Sequence, residues 1–199
     1  MTDARGEGIA AIVLAAGAAT RMGRLKQLLP YRGRTLVAHS IDQALEAGLA
    51  PVVVVVGAQA EAVTAAIAGS PIVVARNPAW ETGMGSSITA AMRHVEDSAA
   101  EAVAILLADQ PLVTSGRLRA MADLLRSSDS RIVAAEYNGM LGVPAIFRRE
   151  MFSALASLPP QSGARQLLRG QAARIDRYAL PEAALDVDTP EDFAALESA

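Results

Sequence analysis

The sequence predicts an α/β fold built on a mostly parallel, doubly wound sheet with helices on both faces. Three observations carry that prediction. Apolar runs at Ile9–Leu14, Val52–Val56, Ile72–Ala75 and Val103–Leu107 are continuous rather than alternating, as in strands buried on both faces. Helical stretches separate these runs, and a repeated strand–helix order gives right-handed crossovers on a parallel sheet. The first run also empties into a loop of small residues at an edge where such sheets hold ligands.

The elements follow in order. After the strand Ile9–Leu14, residues 35–48 read as a helix with Thr35 as N-cap and Gly48 as its stop. Residues 59–68 and 86–95 form the next two helices, and residues 115–126 the helix after the strand Val103–Leu107. Strands are expected at 131–135 and 145–147, helices at 151–158 and 164–168, and an extended segment at 173–178. Residues 190–197 close the chain as a helix capped by Thr189. No repeat, linker or low-complexity run divides residues 1–199, so one domain is expected. The least regular parts, residues 137–141 and 159–163, are the expected place of a substrate pocket.

Composition narrows the function. A net charge of −3 without a Lys/Arg tract argues against a nucleic-acid partner. The absence of cysteine excludes disulfides, thiolate zinc sites and a cysteine nucleophile. No apolar run approaches the ~20 residues needed to span a bilayer, and residues 1–8 are polar, so a soluble cytoplasmic protein without a membrane partner is expected.

The stretch from Ile12 to Pro30, IVLAAGAATRMGRLKQLLP, is the most informative. A buried strand that opens into a side-chain-poor loop lets backbone N–H groups approach an anion, and Arg21 and Lys26 add positive charge where a triphosphate would sit. Spacing rules out two familiar glycine loops. Five residues separate Gly17 and Gly23, and Lys26 is followed by Gln27, so this is no Walker loop. Ala18-Ala19-Thr20 after Gly17 breaks the dinucleotide fingerprint.

What fits is the pattern L-A-A-G-x-S-x-R-M-G-x-x-K-x-L-L-P. The stretch resembles the MobA-like nucleotidyltransferases, especially the MocA-like branch that includes molybdenum-cofactor cytidylyltransferase. Ala19 stands where the signature has serine, which removes a hydroxyl donor but keeps the loop and its cations. Further motifs occur in family order at residues 77–87, 106–111, 142–147 and 186–192. The resemblance implies a three-layer Rossmann-like nucleotidyltransferase fold. It assigns nucleotide binding to Leu14, Ala15, Ala16, Gly17, Arg21 and Lys26, and base and ribose contacts to Gly85, Ser86 and Ser87 in NPAWETGMGSS.

Asp109 in LLADQP follows a buried strand, where a carboxylate can hold a hard cation; a helix-capping role is the alternative. The resemblance places a second metal carboxylate in DVDTPED. Asp109 and Asp188 are taken as the Mg²⁺ pair, with Asp186 in reserve and Asp192 at the helix N-terminus. Arg21, Lys26 and Asp109 are the expected catalytic groups. Nucleotidyl transfer needs alignment and charge neutralisation rather than a covalent nucleophile, and no nucleophile–base dyad is evident. His39 and His94 fall in helices and receive no role. Trp80 is expected to pack at the pocket rim, and Met22 and Met84 either line the pocket or fill space.

On the acceptor side the resemblance points to Gly142, Pro144 and Arg165. Val143 replaces the histidine of the family's G-H-P, and Gln161-Ser162 precede Gly163-Ala164-Arg165 where an acidic residue is common. Arg165 reads equally as a solvated cation at a helix start. Ala15-Ala16-Gly17 leans towards CTP over GTP, so the implied reaction is CTP with a phosphorylated acceptor such as molybdopterin, releasing pyrophosphate. Two other classes stay open on this scaffold. One is an NAD(P)H-dependent reductase of the nicotine blue oxidoreductase-like kind. The other is a non-catalytic nucleotide-binding protein that delivers cofactor to a molybdoenzyme or its chaperone.

Overall fold

A computed structural model describes residues 8–18, 25–170 and 174–197. Seven strands form one sheet: β1 (Ile9–Ala15), β4 (Val52–Val56), β5 (Val73–Arg76), β6 (Ala102–Leu107), β7 (Ile132–Tyr137), β8 (Met140–Arg148) and β9 (Ile175–Ala179). Their order is β5-β4-β1-β6-β8-β7-β9, and only β8 runs antiparallel to its neighbours. The mostly parallel, doubly wound sheet expected from the continuous apolar runs is present.

Strand β1 lies at the centre, and its side chains divide between two cores. Ala11, Val13 and Ala15 face helices α1 (Leu36–Glu46), α2 (Ala60–Ala66) and α4 (Ser115–Ser127). Ala10 and Ile12 face α3 (Met84–Glu96), α5 (Phe152–Ala156) and α6 (Ala164–Gly170). This is why the run lacks a polar face: both sides of the strand are covered. The three layers give the Rossmann-like arrangement. Among the described residues no helix is long and apolar enough to cross a membrane.

Several boundaries differ from the sequence expectation. Helix α3 starts at Met84, two residues early, after a 3₁₀ turn at Trp80–Thr82. Strand β8 extends from 140 to 148 rather than 145–147, so residues 137–141, expected to be irregular, are a tight β7–β8 hairpin. Asn138 and Gly139 both take positive φ there, the backbone that a two-residue type I′ turn demands. A second hairpin, β2 (Pro30–Tyr31) with β3 (Arg34–Thr35), turns through Arg32 and Gly33, again at positive φ.

The Thr35 cap of α1 is present, with its hydroxyl accepting from Ala38 N–H. Thr189 likewise caps α7 (Pro190–Glu197), accepting from Asp192 N–H at 3.2 Å. A small third core, formed by Leu29, Tyr31, Leu36, Val187, Phe193 and Leu196, joins the β2–β3 hairpin to α7.

Candidate active site

Parallel pairing brings the ends of β1 and β6 together, since Leu14 stands opposite Leu107. The loops leaving both strands therefore open on one sheet edge. Ala108 N–H donates to Leu14 O at 3.2 Å, which holds the second loop beside the first. Val187 N–H donates to Asp109 O at 3.0 Å, drawing the distant DVDTPED segment onto the same edge.

The result is a charge cluster around one ammonium. Lys26 Nζ pairs with Asp109 Oδ2, and donates to Asp188 Oδ1 at 2.6 Å. Burial by itself would lower the Lys26 pKa, but Asp109 and Asp188 outweigh it and hold it above the ordinary lysine value. Asp192 fixes the approach of Asp188: its Oδ2 accepts from Asp188 N–H, Thr189 N–H and the Thr189 hydroxyl. Asp186 is an exposed residue beside this cluster. Its carboxyl is pushed up to about 6, by desolvation first and then by the negative charge of Asp109 and Asp188.

Lys26, Asp109, Leu14, Ala16, Gly17 and Ser87 line a cleft of about 350 Å³, with Trp80, Met84 and Leu107 completing its walls. Arg21 lies outside the described residues, as do Ala19 and Met22. Ala15 is buried below the cleft, and its carbonyl accepts from Gln27 Nε2 at 3.3 Å. Gln27 was not singled out in the sequence, yet it shapes the loop. It is buried, and Nε2 also donates to Gly17 O at 2.7 Å, so it pins the strand exit from beneath. A buried polar residue beside the loop lysine was the available clue.

The helix-start residues divide in their tasks. Ser87 faces the cleft, and its hydroxyl accepts from Asn77 Nδ2 at 3.0 Å. Gly85 does not present a free N–H, because it donates to Pro160 O at 2.9 Å. A Cβ on Gly85 would overlap Pro159 O and come within 2.6 Å of Ser162 O. The Ser86 hydroxyl donates to Gly83 O at 2.7 Å, and Ser86 N–H also bonds Gly83 O. Gly85 seats the 159–162 loop against α3, a tertiary demand that local sequence does not display, while Ser86 turns back onto Gly83 at the helix start. Trp80 packs on Gly57, where an added Cβ would lie 2.6 Å from the Trp80 Cβ.

A second cavity of about 290 Å³ shares Met84 and Leu107 with the first. Tyr137, Gly142, Val143, Arg165 and Asp186 line its far side. It sits there because β8 runs antiparallel to β6, with Ala145 opposite Ile105, so Gly142 and Val143 reach past the end of β6. Pro144 is buried in β8 and does not reach the cavity surface. The hairpin thus supplies a wall of the expected acceptor pocket through Tyr137 rather than through an irregular loop.

A divalent ion fits the charge cluster on chemical grounds. Two carboxylates converge on one point, and magnesium commonly takes one or two carboxylates together with water and phosphate oxygens. Among the described residues no three His, Asp or Glu side chains form a group able to enclose an ion.

Comparison with known proteins agrees with this geometry. Residues 11–177 match the model of the MobA-like NTP transferase domain. The chain is 35% identical to nicotine blue oxidoreductase of Paenarthrobacter nicotinovorans, over 94% of this chain and 96% of that protein. It is 30% identical to the purine catabolism protein PucB of Bacillus subtilis (strain 168), over 94% of this chain and 95% of the other. Among solved structures, Rv0371c of Mycobacterium tuberculosis H37Rv superposes with a TM-score of 0.81 at 32% identity, covering 96% of this chain and 98% of that one. Rv0371c has also been solved in complex with manganese, at a TM-score of 0.77 and 32% identity, covering 96% of this chain and 100% of that one.

Proposed function

The chain belongs to the MobA-like NTP transferase family, on its MocA-like branch, and from that premise we propose a magnesium-dependent cytidylyltransferase acting on a phosphorylated small molecule. In this reading an acceptor phosphate oxygen attacks the α-phosphorus of CTP. A new P–O bond forms, the bond to the bridging oxygen of the β-phosphate breaks, and pyrophosphate leaves. The acceptor phosphate is already anionic at pH 7, so a strong base is not needed. Molybdopterin is the acceptor that the sequence resemblance favours.

One observation carries the reading: a single ammonium, Lys26, is held by two carboxylates from distant segments, at a cleft joined to a second cavity. The cleft takes the nucleotide over Gly17 and Ser87, and the second cavity takes the acceptor beside Arg165. Lys26 supplies positive charge to the triphosphate. Asp109 and Asp188 would hold the Mg²⁺, which neutralises charge building on the phosphoryl oxygens. Loop amides after Leu14 and the Gln27 brace keep the phosphate-binding turn in place before substrate arrives.

Resemblance to nicotine blue oxidoreductase supports a second reading, hydride transfer from NAD(P)H to a quinoid substrate. A third is nucleotide capture and delivery without turnover. One experiment separates the three. CTP, GTP, ATP and UTP are offered with Mg²⁺ and ranked by thermal shift, then tested for pyrophosphate release with molybdopterin. Release with CTP supports transfer. NAD(P)H oxidation with a quinoid substrate, in place of release, supports the reductase. Tight CTP binding with neither reaction supports delivery.

A further inference from the structure

Most of the described arginines have a partner. Six pair with carboxylates, and Arg119, Arg148 and Arg149 donate to backbone carbonyls. Arg93 on α3 has none among the described residues, and neither do Arg165 and Arg169. Arg165 and Arg169 are both exposed on α6, four positions apart and so on one face. Like charges at this spacing repel and destabilise a helix, and α6 is only seven residues long. Anions bound at the two guanidinium groups would relieve that repulsion.

The two guanidinium groups border a groove of about 220 Å³, whose other walls are Met140, Leu141 and Leu168. Arg165 lines this groove and the acceptor cavity alike, so the two compartments are neighbours. Met140, at the tip of the β7–β8 hairpin, is 48% exposed and lies beside Leu141 and Leu168 in this groove. The groove thus offers an apolar floor beside two cations, Arg165, which also lines the acceptor cavity, and Arg169, which lines the groove but not that cavity. That combination selects a flat apolar or aromatic body carrying an anion beyond it.

We infer that the acceptor site extends into a second anion subsite that selects a doubly anionic, elongated small molecule over molybdopterin, which has no distal phosphate or carboxylate: the reacting phosphate lies in the second cavity by Arg165, the apolar body rests on Met140, Leu141 and Leu168, and the distal phosphate or carboxylate is bound by Arg169. The assignment of the reacting end rests on the transferase reading. The distal subsite does not, because it is defined by binding alone.

The test is a binding comparison with the full chain by isothermal titration, using 2-naphthyl phosphate against two probes bearing a second anion on the far ring, 6-carboxy-2-naphthyl phosphate and naphthalene-2,6-diyl bisphosphate. At least one two-anion probe should bind roughly tenfold tighter than the single anion, the worth of a charge-assisted hydrogen-bond pair. The tighter of the two identifies the distal group as carboxylate or phosphate. Arg169→Gln should abolish the preference, Arg165→Gln should weaken all three probes, and Arg93→Gln, an exposed arginine on α3, should change nothing. Equal binding of the three probes, or a preference that survives Arg169→Gln, overturns the inference. Failure of pyrophosphate release with every nucleotide would sink the transferase reading while leaving the probe preference intact, so the two failures are distinguishable.

Discussion

Lys26 Nζ reaches Asp188 Oδ1 at 2.6 Å across 162 positions of sequence, and the same ammonium pairs with Asp109. A cation therefore already offsets part of the charge of the two carboxylates before any metal binds. Removing it leaves two like charges face to face in a half-buried site, which is destabilising until another cation arrives. Lys26→Met should bind Mn²⁺ without nucleotide at least roughly tenfold more tightly than the parent, by electron paramagnetic resonance, and its melting temperature should rise with added Mn²⁺ by mass action. Equal Mn²⁺ affinity in both proteins would show that the ammonium and the ion do not share these carboxylates.

Asp109→Asn should abolish nucleotidyl transfer, since losing a metal carboxylate removes several kcal/mol of transition-state stabilisation, roughly 10³-fold in rate. Asp188→Asn should lose a similar factor and Asp186→Asn much less. A reversed ranking of the last two would move the second ligand to Asp186.

Gln27→Ala removes the amide that braces Ala15 O and Gly17 O. A buried hydrogen bond lost in this way costs about 1–3 kcal/mol. Urea unfolding should register that loss, and the KM for the nucleotide should rise with little change in the KM for the acceptor.

Two glycine substitutions should separate packing from recognition. In Gly85→Ala the new methyl meets backbone at Pro159 and Ser162, which must move, so thermal stability should fall clearly. In Gly142→Ala it meets the Tyr137 ring, with Cζ at 2.8 Å, and that ring can rotate away. Stability should hold better there while acceptor binding suffers, as Tyr137 is displaced into its cavity.

His39 gives a pH-dependent contribution to stability. Burial lowers its pKa below 6.5, the carbonyl of Pro111 opposes that, and Arg32 adds to the fall. A depressed histidine is neutral in the folded state while the unfolded chain takes up a proton. Its contribution is therefore complete above about pH 7 and is lost as pH falls through 6.5 towards the folded value. Melting curves from pH 7.5 to 5 should show a shallower acid loss in His39→Gln than in the parent.

How much of this was legible in the sequence differs by residue. Strands β1, β4 and β6 were plain because burial on both faces leaves no polar alternation to mislead. The β7–β8 hairpin was missed although Asn138-Gly139, a strong turn dipeptide, stood in view. Gly85 and Ser86 looked like ligand donors because a small-residue helix start offers free N–H groups. The partner of Gly85 comes from residues 159–162, and nothing local announces that docking, while Ser86 turns back onto Gly83. Asp109 and Asp188 were chosen as a pair, whereas their convergence on Lys26 depends on long-range contacts such as Val187 N–H to Asp109 O and Gln110 Nε2 to Ala183 O.

The third small core has a consequence for motion. Leu29 and Tyr31 follow Lys26 closely in the chain, and Phe193 and Leu196 sit on the helix after Asp188, so one apolar patch clamps the carriers of both charges. Fraying of the final helix would separate the ion pair, and a ligand that grips the pair must in turn slow that fraying. Amide protons of residues 190–196 should therefore exchange with deuterium more slowly once nucleotide binds, reporting occupancy of the cleft from the opposite end of the sequence.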